Sequence, residues 1–410
     1  MSRNSHKALV VVGHGMVAQR FLEELVAREP LPFASIVVFN GESRAAYNRI
    51  QLSALLSGDT DEDSLTLKPD DWFARHGIQV HHGEPVRAIN TRERTVLTST
   101  GRSQRYDTLV LATGSRPGQL GLPGEDLDDV HYFRDIHDTR ALIEHSQNRR
   151  RAVVIGGGFL GLEAAAGLHA RGMPVTVLHR SHHLLNRQLD STGGELLADA
   201  LTAKGLNILT GTAPVHLLGR DSVRAVQLSD QTLISTDLVV IATGIVPNRE
   251  LAEDAGLDCG RGITVSPQLQ TSDPDIYALG ECCELGNETF GLVEPGYQQA
   301  QTLARVLTEG HRAAAWASSV IATRLKISDV PVFSCGLQTP DENTESVISR
   351  DLGTGSYSHL LIRNDRLVGA VLVGNTGNGP WYQQLITEQT NISRIRTELP
   401  FGKQFCEAAA

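Results

Sequence analysis

One pattern, carried twice, constrains this chain more than any other feature. Near the start, Ala8-Leu9-Val10-Val11-Val12 runs into Gly13-His14-Gly15-Met16-Val17-Ala18, and Phe21, Leu22, Leu25 and Val26 follow at helical spacing. Later, Ala152-Val153-Val154-Ile155 runs into Gly156-Gly157-Gly158-Phe159-Leu160-Gly161. Each reads as a buried parallel strand, a tight glycine turn and a helix. A helix N-terminus leaves its first N–H groups without partners and carries partial positive charge, which suits a pyrophosphate. The dipole contributes only about 0.3–1 kcal/mol. Several N–H bonds, reached through a turn without side chains, must therefore supply most of the grip. Gly13 permits the turn, Gly15 the close approach, and Met16 opens the helix, while Ala18 takes the third fingerprint position. In the second copy Gly156, Gly158 and Gly161 fill all three positions, with Phe159 and Leu160 between them.

A single fingerprint is weak evidence. Here each copy is followed, well downstream, by an apolar run ending in the same turn: Ala112-Thr113-Gly114 in the first case and Ala242-Thr243-Gly244 in the second. That repetition points to an internal duplication of the dinucleotide-binding fold. Past the strand Ser35-Ile36-Val37-Val38-Phe39 stands Glu42, where an acidic residue would accept bonds from ribose hydroxyls. Tyr47-Asn48-Arg49-Ile50-Gln51-Leu52-Ser53 reads as neither a strand nor the start of an ordinary amphipathic helix. It suggests a segment lying over a cofactor, with Arg49 toward phosphate or flavin charge. The strand Ile276-Tyr277-Ala278-Leu279 ends at Gly280-Glu281, placing the Glu281 carboxylate where ligands sit in open α/β sheets. A helix is expected from near Gly296. From about His311 the texture changes to short strands (Val332–Gly336, Glu345–Ser349, Ser358–Arg363, Arg366–Gly374) and a helix at Trp381–Thr387.

The expected architecture is α/β: two nested Rossmann-like dinucleotide-binding domains and a small C-terminal α+β domain. The boundaries expected are 1–116 and 246–312 for the first domain, 117–245 for the second and 313–410 for the tail. At 410 residues the chain is long enough for several cores, and a net charge of −10 argues against nucleic acid or an anionic membrane as partner. No apolar run approaches the roughly 20 residues that span a bilayer. The first strand begins by Ala8, so no signal peptide is expected. Five scattered cysteines offer no disulfide framework, and a cytoplasmic location is the natural reading.

The two fingerprints, the two Ala-Thr-Gly turns and Thr271-Ser272-Asp273-Pro274-Asp275-Ile276-Tyr277-Ala278-Leu279-Gly280-Glu281 together resemble the two-dinucleotide flavoprotein reductases. The likeness is nearest to the flavin module of NAD(P)H nitrite reductase large subunits, with assimilatory nitrate reductase electron-transfer subunits and rubredoxin reductases in the same set. It rests on Tyr47–Ser53, on Arg187-Gln188-Leu189-Asp190 with Gly193-Gly194-Glu195, and on Gly280-Glu281-Cys282 with Gly291-Leu292-Val293 and Pro295-Gly296-Tyr297. It covers residues 7–308. The resemblance implies FAD on Gly13, Gly15 and Ala18, with Glu42 at the adenosine ribose, Arg49 by the flavin and Glu281 on the ribityl or pyrophosphate side. It implies a nicotinamide nucleotide on Gly156, Gly158 and Gly161, and Glu163 near the nicotinamide. A bland alternative for Glu163 is an ordinary helix-face glutamate.

The chain also departs from the pattern. Where the second ribose acid should follow Leu178 it has His179-Arg180-Ser181-His182-His183, and an arginine can accommodate a 2′-phosphate. NADH against NADPH stays open at this point. There is no Cys-x-x-Cys or Cys-x4-Cys redox pair, and no four-cysteine set for iron. Cys282-Cys283 read as buried thiols, no metal site is expected, and His81-His82 and His182-His183 read as surface residues. The implied activity is hydride transfer from NAD(P)H to FAD, then electrons to a separate redox protein. That acceptor would be a nitrate or nitrite reductase component, or a rubredoxin- or ferredoxin-like carrier. An NAD(P)H oxidase and a non-catalytic nucleotide sensor are the rivals, and a homodimer is compatible with the sequence.

Overall fold

The structure is a computed structural model, and it describes residues 7–310, 315–317, 320–327 and 329–409. Contacts divide the chain into two units. The first comprises Met1–Gln51, Asp61–Arg116 and Ile245–Ser318; the second comprises Leu52–Thr60, Pro117–Gly244 and Ser319–Ala410.

The first unit is built on a five-stranded parallel sheet. Its spatial order is Ile276–Ala278, Thr108–Leu111, Ala8–Val12, Ser35–Phe39, Ile78–His81. Leu9, Val10 and Val11 have no exposed surface, as expected of a central strand covered on both faces. The register pairs Val10 with Val37 on one side and with Leu109 on the other, which brings the Gly13 turn level with the Ala112 turn. Two helices, Met16–Val26 and Val293–Glu309, pack together at their first turns. A Cβ on Gly296 would lie 2.5 Å from a methyl of Val17, so the glycine sets how closely these helices approach. A three-stranded antiparallel meander, Val86–Asn90, Thr95–Thr98 and Ser103–Arg105, is inserted before the Thr108–Leu111 strand.

The second unit repeats this plan. Its parallel sheet has the order Asn207–Thr210, Val175–His179, Ala152–Ile155, Leu238–Ile241, Val130–Tyr132, and its meander is Pro214–Gly219, Val223–Leu228 and Leu233–Ser235. One strand differs in origin. Val130–Tyr132, the outer neighbour of Leu238–Ile241, comes from the chain before Ala152–Ile155, whereas its counterpart Ile276–Ala278, the outer neighbour of Thr108–Leu111, comes from far after Ala8–Val12.

The same unit holds an antiparallel sheet in the order Ala322–Ile327, Val330–Gly336, Arg366–Val373, Ser356–Arg363, Glu345–Asp351, with the helix Gly379–Thr387 against it. The first of these strands is not anticipated from sequence. Nor are the helices Ile136–Asn148 and Ser191–Ala203. The expectation for Tyr47–Ser53 needs correction: Arg49–Gln51 form a 3-10 turn and Leu52–Ser57 a helix, whose Leu56 packs on Gly167 of the helix Phe159–Ala170. The helix expected from Gly296 begins at Val293; of the histidines expected at the surface, His82 and His182 are exposed, whereas His81 and His183 are half-buried. The change of texture placed near His311 falls on 311–314, outside the described residues. Cys282 and Cys283 are fully buried.

A buried network joins the C-terminal sheet to the helix Ser191–Ala203. Asp190 caps that helix through the Gly193 N–H, and its other carboxylate oxygen accepts from the Tyr357 hydroxyl and lies 3.0 Å from His359 Nδ1. His359 Nε2 reaches the Ser346 hydroxyl at 3.0 Å. Burial pushes the Asp190 carboxyl up, but the bonds from His359 and Tyr357 outweigh it and leave it below the usual range. Asp190→Ala strips a cap worth about 0.5–2 kcal/mol and leaves buried groups without an acceptor at about 1–3 kcal/mol each. The substitution is expected to lower the thermal midpoint by roughly 6–10 °C in a calorimetric scan. A shift under about 2 °C would mean that the network does not hold the sheet to the helix.

Candidate functional site

Gly13 adopts φ +99, and a Cβ there would sit 2.2 Å from the Ala112 carbonyl oxygen. Only glycine can therefore carry the strand past the neighbouring turn. Two residues on, Gly15 has extended backbone (φ −93, ψ −170) that any residue adopts, and a Cβ added there would meet nothing within 4 Å. Gly15 caps the helix Met16–Val26 without any side-chain bond to the first turn. The helix thus presents its leading N–H groups to open space, which fits a phosphate-bearing ligand.

Five further segments of the same unit carry hydrogen-bonded polar groups. The Glu42 carboxylate accepts from the Tyr47 hydroxyl at 3.1 Å and pairs with the Arg49 guanidinium; Arg44 and Arg49 each lie 5.0 Å from the centre of the Tyr47 ring. Arg49 is thus seen against Glu42. Thr113 and Gly114 are clamped by Asn248: its side-chain amide donates to the Thr113 carbonyl at 2.8 Å and its backbone N–H to the Gly114 carbonyl at 2.9 Å, while the Thr113 hydroxyl donates to the Asn248 carbonyl at 2.7 Å. Gly280 (φ +84) donates its N–H to Gln299 Oε1 at 2.7 Å, and Glu281 accepts from the Ser115 hydroxyl at 2.7 Å. Gln299 has no exposed surface, and its Nε2 is buried with no hydrogen-bond partner among the described residues. An orphaned buried donor of this kind fits the approach of a ligand's acceptor group.

Asn248, Ser115 and Gln299 are not singled out by sequence reasoning, and neither is His14. That imidazole is buried inside the fingerprint, 3.1 Å from Gln19 Oε1, and burial lowers it to about 4, so it is neutral. Its position between two fingerprint glycines is the only signal that could have drawn attention to it. Met16 and Ala18 are buried along the helix.

The second turn repeats the first. Gly156 adopts φ +131, with a Cβ position 2.2 Å from the Ala242 carbonyl oxygen; Gly158 caps the helix Phe159–Ala170 in extended conformation, without a side-chain cap and with open space at its Cβ. Gly161 differs from Ala18, because a Cβ on it would be 1.9 Å from the Gly156 carbonyl oxygen. Phe159 and Leu160 are half-buried, and Thr243 and Gly244 are exposed at the end of the Leu238–Ile241 strand. His179 Nδ1 accepts the Gly157 N–H at 3.1 Å and its Nε2 lies 3.2 Å from Asn186 Oδ1, while Arg180 is exposed. Glu163 is half-buried one turn into the helix, with no hydrogen-bond or ion-pair partner among the described residues; burial pushes its carboxyl up to about 7.

The structure also gathers Asp129, His131 and His145, a cluster unseen in the sequence. His145 Nδ1 lies 3.0 Å from Asp129, and Arg149 donates to both carboxylate oxygens at 2.8–2.9 Å. The guanidinium already neutralises the one carboxylate a cation would need, which makes the cluster an ion-pair network.

Residues 7–304 match the pyridine nucleotide-disulphide oxidoreductase family, and residues 322–390 match the rubredoxin NAD+ reductase C-terminal domain. A nitrite reductase [NAD(P)H] of Bacillus subtilis is 41% identical over 94% of this chain and 48% of its own length. The assimilatory nitrate reductase electron transfer subunit of the same organism is 38% identical over 95% of this chain and 50% of its own length. The chain thus spans about half the length of these curated relatives. Among solved structures, a ferredoxin reductase from Rhodopseudomonas palustris superposes with a TM-score of 0.88 at 27% identity, covering 99% of this chain and 100% of that one. With matched glycine turns in both halves and the family signature across most of its length, the chain belongs to the pyridine nucleotide-disulphide oxidoreductases, flavoproteins that use FAD and NAD(P)H.

Proposed function

We propose that this chain is a reductase module that takes hydride from NAD(P)H and, through FAD, passes electrons to a separate redox protein of nitrate or nitrite reduction. The observation that carries the reading is the pair of uncapped helix N-termini at Gly15 and Gly158, each behind a turn that only glycine can make. The likeness to the two Bacillus subtilis proteins supports the pathway. The 410 residues hold no Cys-x-x-Cys and no four-cysteine set, so the final acceptor lies outside them. A rubredoxin- or ferredoxin-type carrier is the alternative acceptor, favoured by the match at residues 322–390. The five free cysteines, four of them buried, are in keeping with a reducing cytoplasm.

FAD, when bound, supplies the conversion of a hydride into single electrons. The protein's own part is to bind, orient and tune. In this assignment the first turn takes the FAD pyrophosphate on the N–H groups ahead of Met16, Glu42 takes the adenosine ribose, and Glu281, held by Ser115, takes the ribityl side. Gly156, Gly158 and Gly161 take the nicotinamide nucleotide. Glu163, whose raised value leaves it partly protonated at neutral pH, donates or accepts a hydrogen bond at the nicotinamide end. No nucleophile or general base is needed for hydride transfer, so a buried, near-neutral carboxyl serves as a positioning group.

Two expectations separate this reading from a merely structural one. A Cβ at Gly15 meets nothing within 4 Å and the backbone there is extended, so Gly15→Val is expected to fold with an unchanged circular dichroism spectrum yet purify without flavin colour. A yellow variant would show that the first turn does not hold FAD. Glu163→Gln is expected to slow anaerobic reduction of bound flavin about ten-fold, the worth of one hydrogen bond. It should also abolish an inflection of that rate near pH 7. The sign for stability follows: the folded value of about 7 exceeds the ordinary 4.5, so the folded chain holds a proton the unfolded chain has lost. The penalty of burying Glu163 therefore grows from about pH 4.5 to about pH 7, and the glutamine variant removes that slope. An unchanged rate and pH profile would leave Glu163 an ordinary helix residue.

A further inference from the structure

The Val175–His179 strand ends beside Asn207–Thr210, with His179 opposite Thr210. Two backbone bonds tie the following loops together: Gly211 N–H to the Ser181 carbonyl at 2.8 Å and Thr212 N–H to the His179 carbonyl at 3.0 Å. In a dinucleotide-binding unit this strand end receives the adenosine ribose, and a carboxylate there selects a free 2′-hydroxyl by accepting from it and repelling a phosphate. The two segments that meet here carry no such residue. Between Glu163 and Asp190 there is no Asp or Glu, and none between Asp199 and Asp221, so both segments that meet at the strand end are free of acid. Asp190 itself is turned to Gly193, Tyr357 and His359.

The imidazole that replaces the acid is not available as a substitute for it. His179 Nδ1 accepts the Gly157 N–H, which puts the ring proton on Nε2, where it is donated to Asn186 Oδ1. Both nitrogens are engaged, and burial holds the ring below its ordinary value, hence neutral. A Cβ on Gly157 would lie 2.7 Å from His179 Cγ, so the ring is packed directly under the glycine turn. The next residue, Arg180, is exposed and has no ion-pair or hydrogen-bond partner among the described residues, unlike Arg149 or Arg171, whose guanidiniums are engaged. A planar guanidinium at a ribose-binding strand end, with no acid to quench it, matches a phosphate dianion bidentately.

We propose that Arg180 selects a nicotinamide nucleotide phosphorylated at the adenosine 2′ position, so that NADPH rather than NADH is the preferred hydride donor. This rests on the second glycine turn being the nicotinamide nucleotide's site. Isothermal titration of the FAD-loaded chain with 2′-phosphoadenosine diphosphoribose and with adenosine diphosphoribose tests it without any turnover, since both lack the nicotinamide. The phosphorylated ligand is expected to bind about ten-fold tighter or more, an advantage that Arg180→Ala brings close to parity. Equal affinities, or a preference for the unphosphorylated ligand, would overturn the proposal while leaving the site intact. An advantage that survives Arg180→Ala would overturn the role of that residue. Failure of both ligands to bind would overturn the reading of the second turn itself, and the proposal with it.

Discussion

Two carbonyl oxygens, those of Ala112 and Ala242, determine what the rest of this protein can do. Each stands 2.2 Å from where a Cβ would be on Gly13 or Gly156, and each belongs to the residue just past the end of the strand hydrogen-bonded beside the one that carries the fingerprint. That approach forces a positive φ and a bare backbone at the turn, and so starts a helix right at the strand's end with no capping side chain. The uncapped N–H groups are a cost to the polypeptide alone and become favourable when an anion meets them. The strand pairing thus leaves uncapped N–H groups suited to an anion as a by-product of packing, and it does so in each unit.

The two copies have since diverged in informative ways. At the third fingerprint position the first unit tolerates Ala18, while the second leaves no room for a Cβ on Gly161, 1.9 Å from the Gly156 carbonyl. At the end of the second strand the first unit keeps a carboxylate, Glu42, held by Tyr47 and Arg49, whereas the second has a neutral, pinned His179 followed by an exposed Arg180. The matching strand ends thus carry side chains of different charge, a paired carboxylate in one unit and a neutral imidazole followed by an exposed arginine in the other, a difference that suits discrimination between two similar ligands.

Much of this was legible in the sequence because it is local. Strand, glycine turn and helix occupy about twenty consecutive residues, and the apolar runs before both Ala-Thr-Gly turns are where the pairing strands lie. What the sequence hid is carried by long-range partners. Asn248 clamps Thr113 across more than a hundred residues, Gln299 meets Gly280 from a helix whose face reads only as amphipathic, and Asp190 finds Tyr357 and His359 in a different sheet. The edge strand Ala322–Ile327, interrupted by Thr323, Arg324 and Lys326, lacks the Val and Ile density that marked the buried strands. Leu52–Ser57 escaped notice for another reason: a six-residue helix has little periodicity to show, and its packing on Gly167 of a distant helix fixes it.

We propose that the two turns hold different dinucleotides, so that NAD(P)H reduces flavin bound to the same chain. An anaerobic titration of the purified, flavin-containing chain with a nicotinamide nucleotide, followed in the flavin absorbance band, tests it most directly. The band should bleach in proportion to the nucleotide added and return when oxidant is admitted. A flavin that stays oxidised in excess NADH and NADPH alike would contradict the claim.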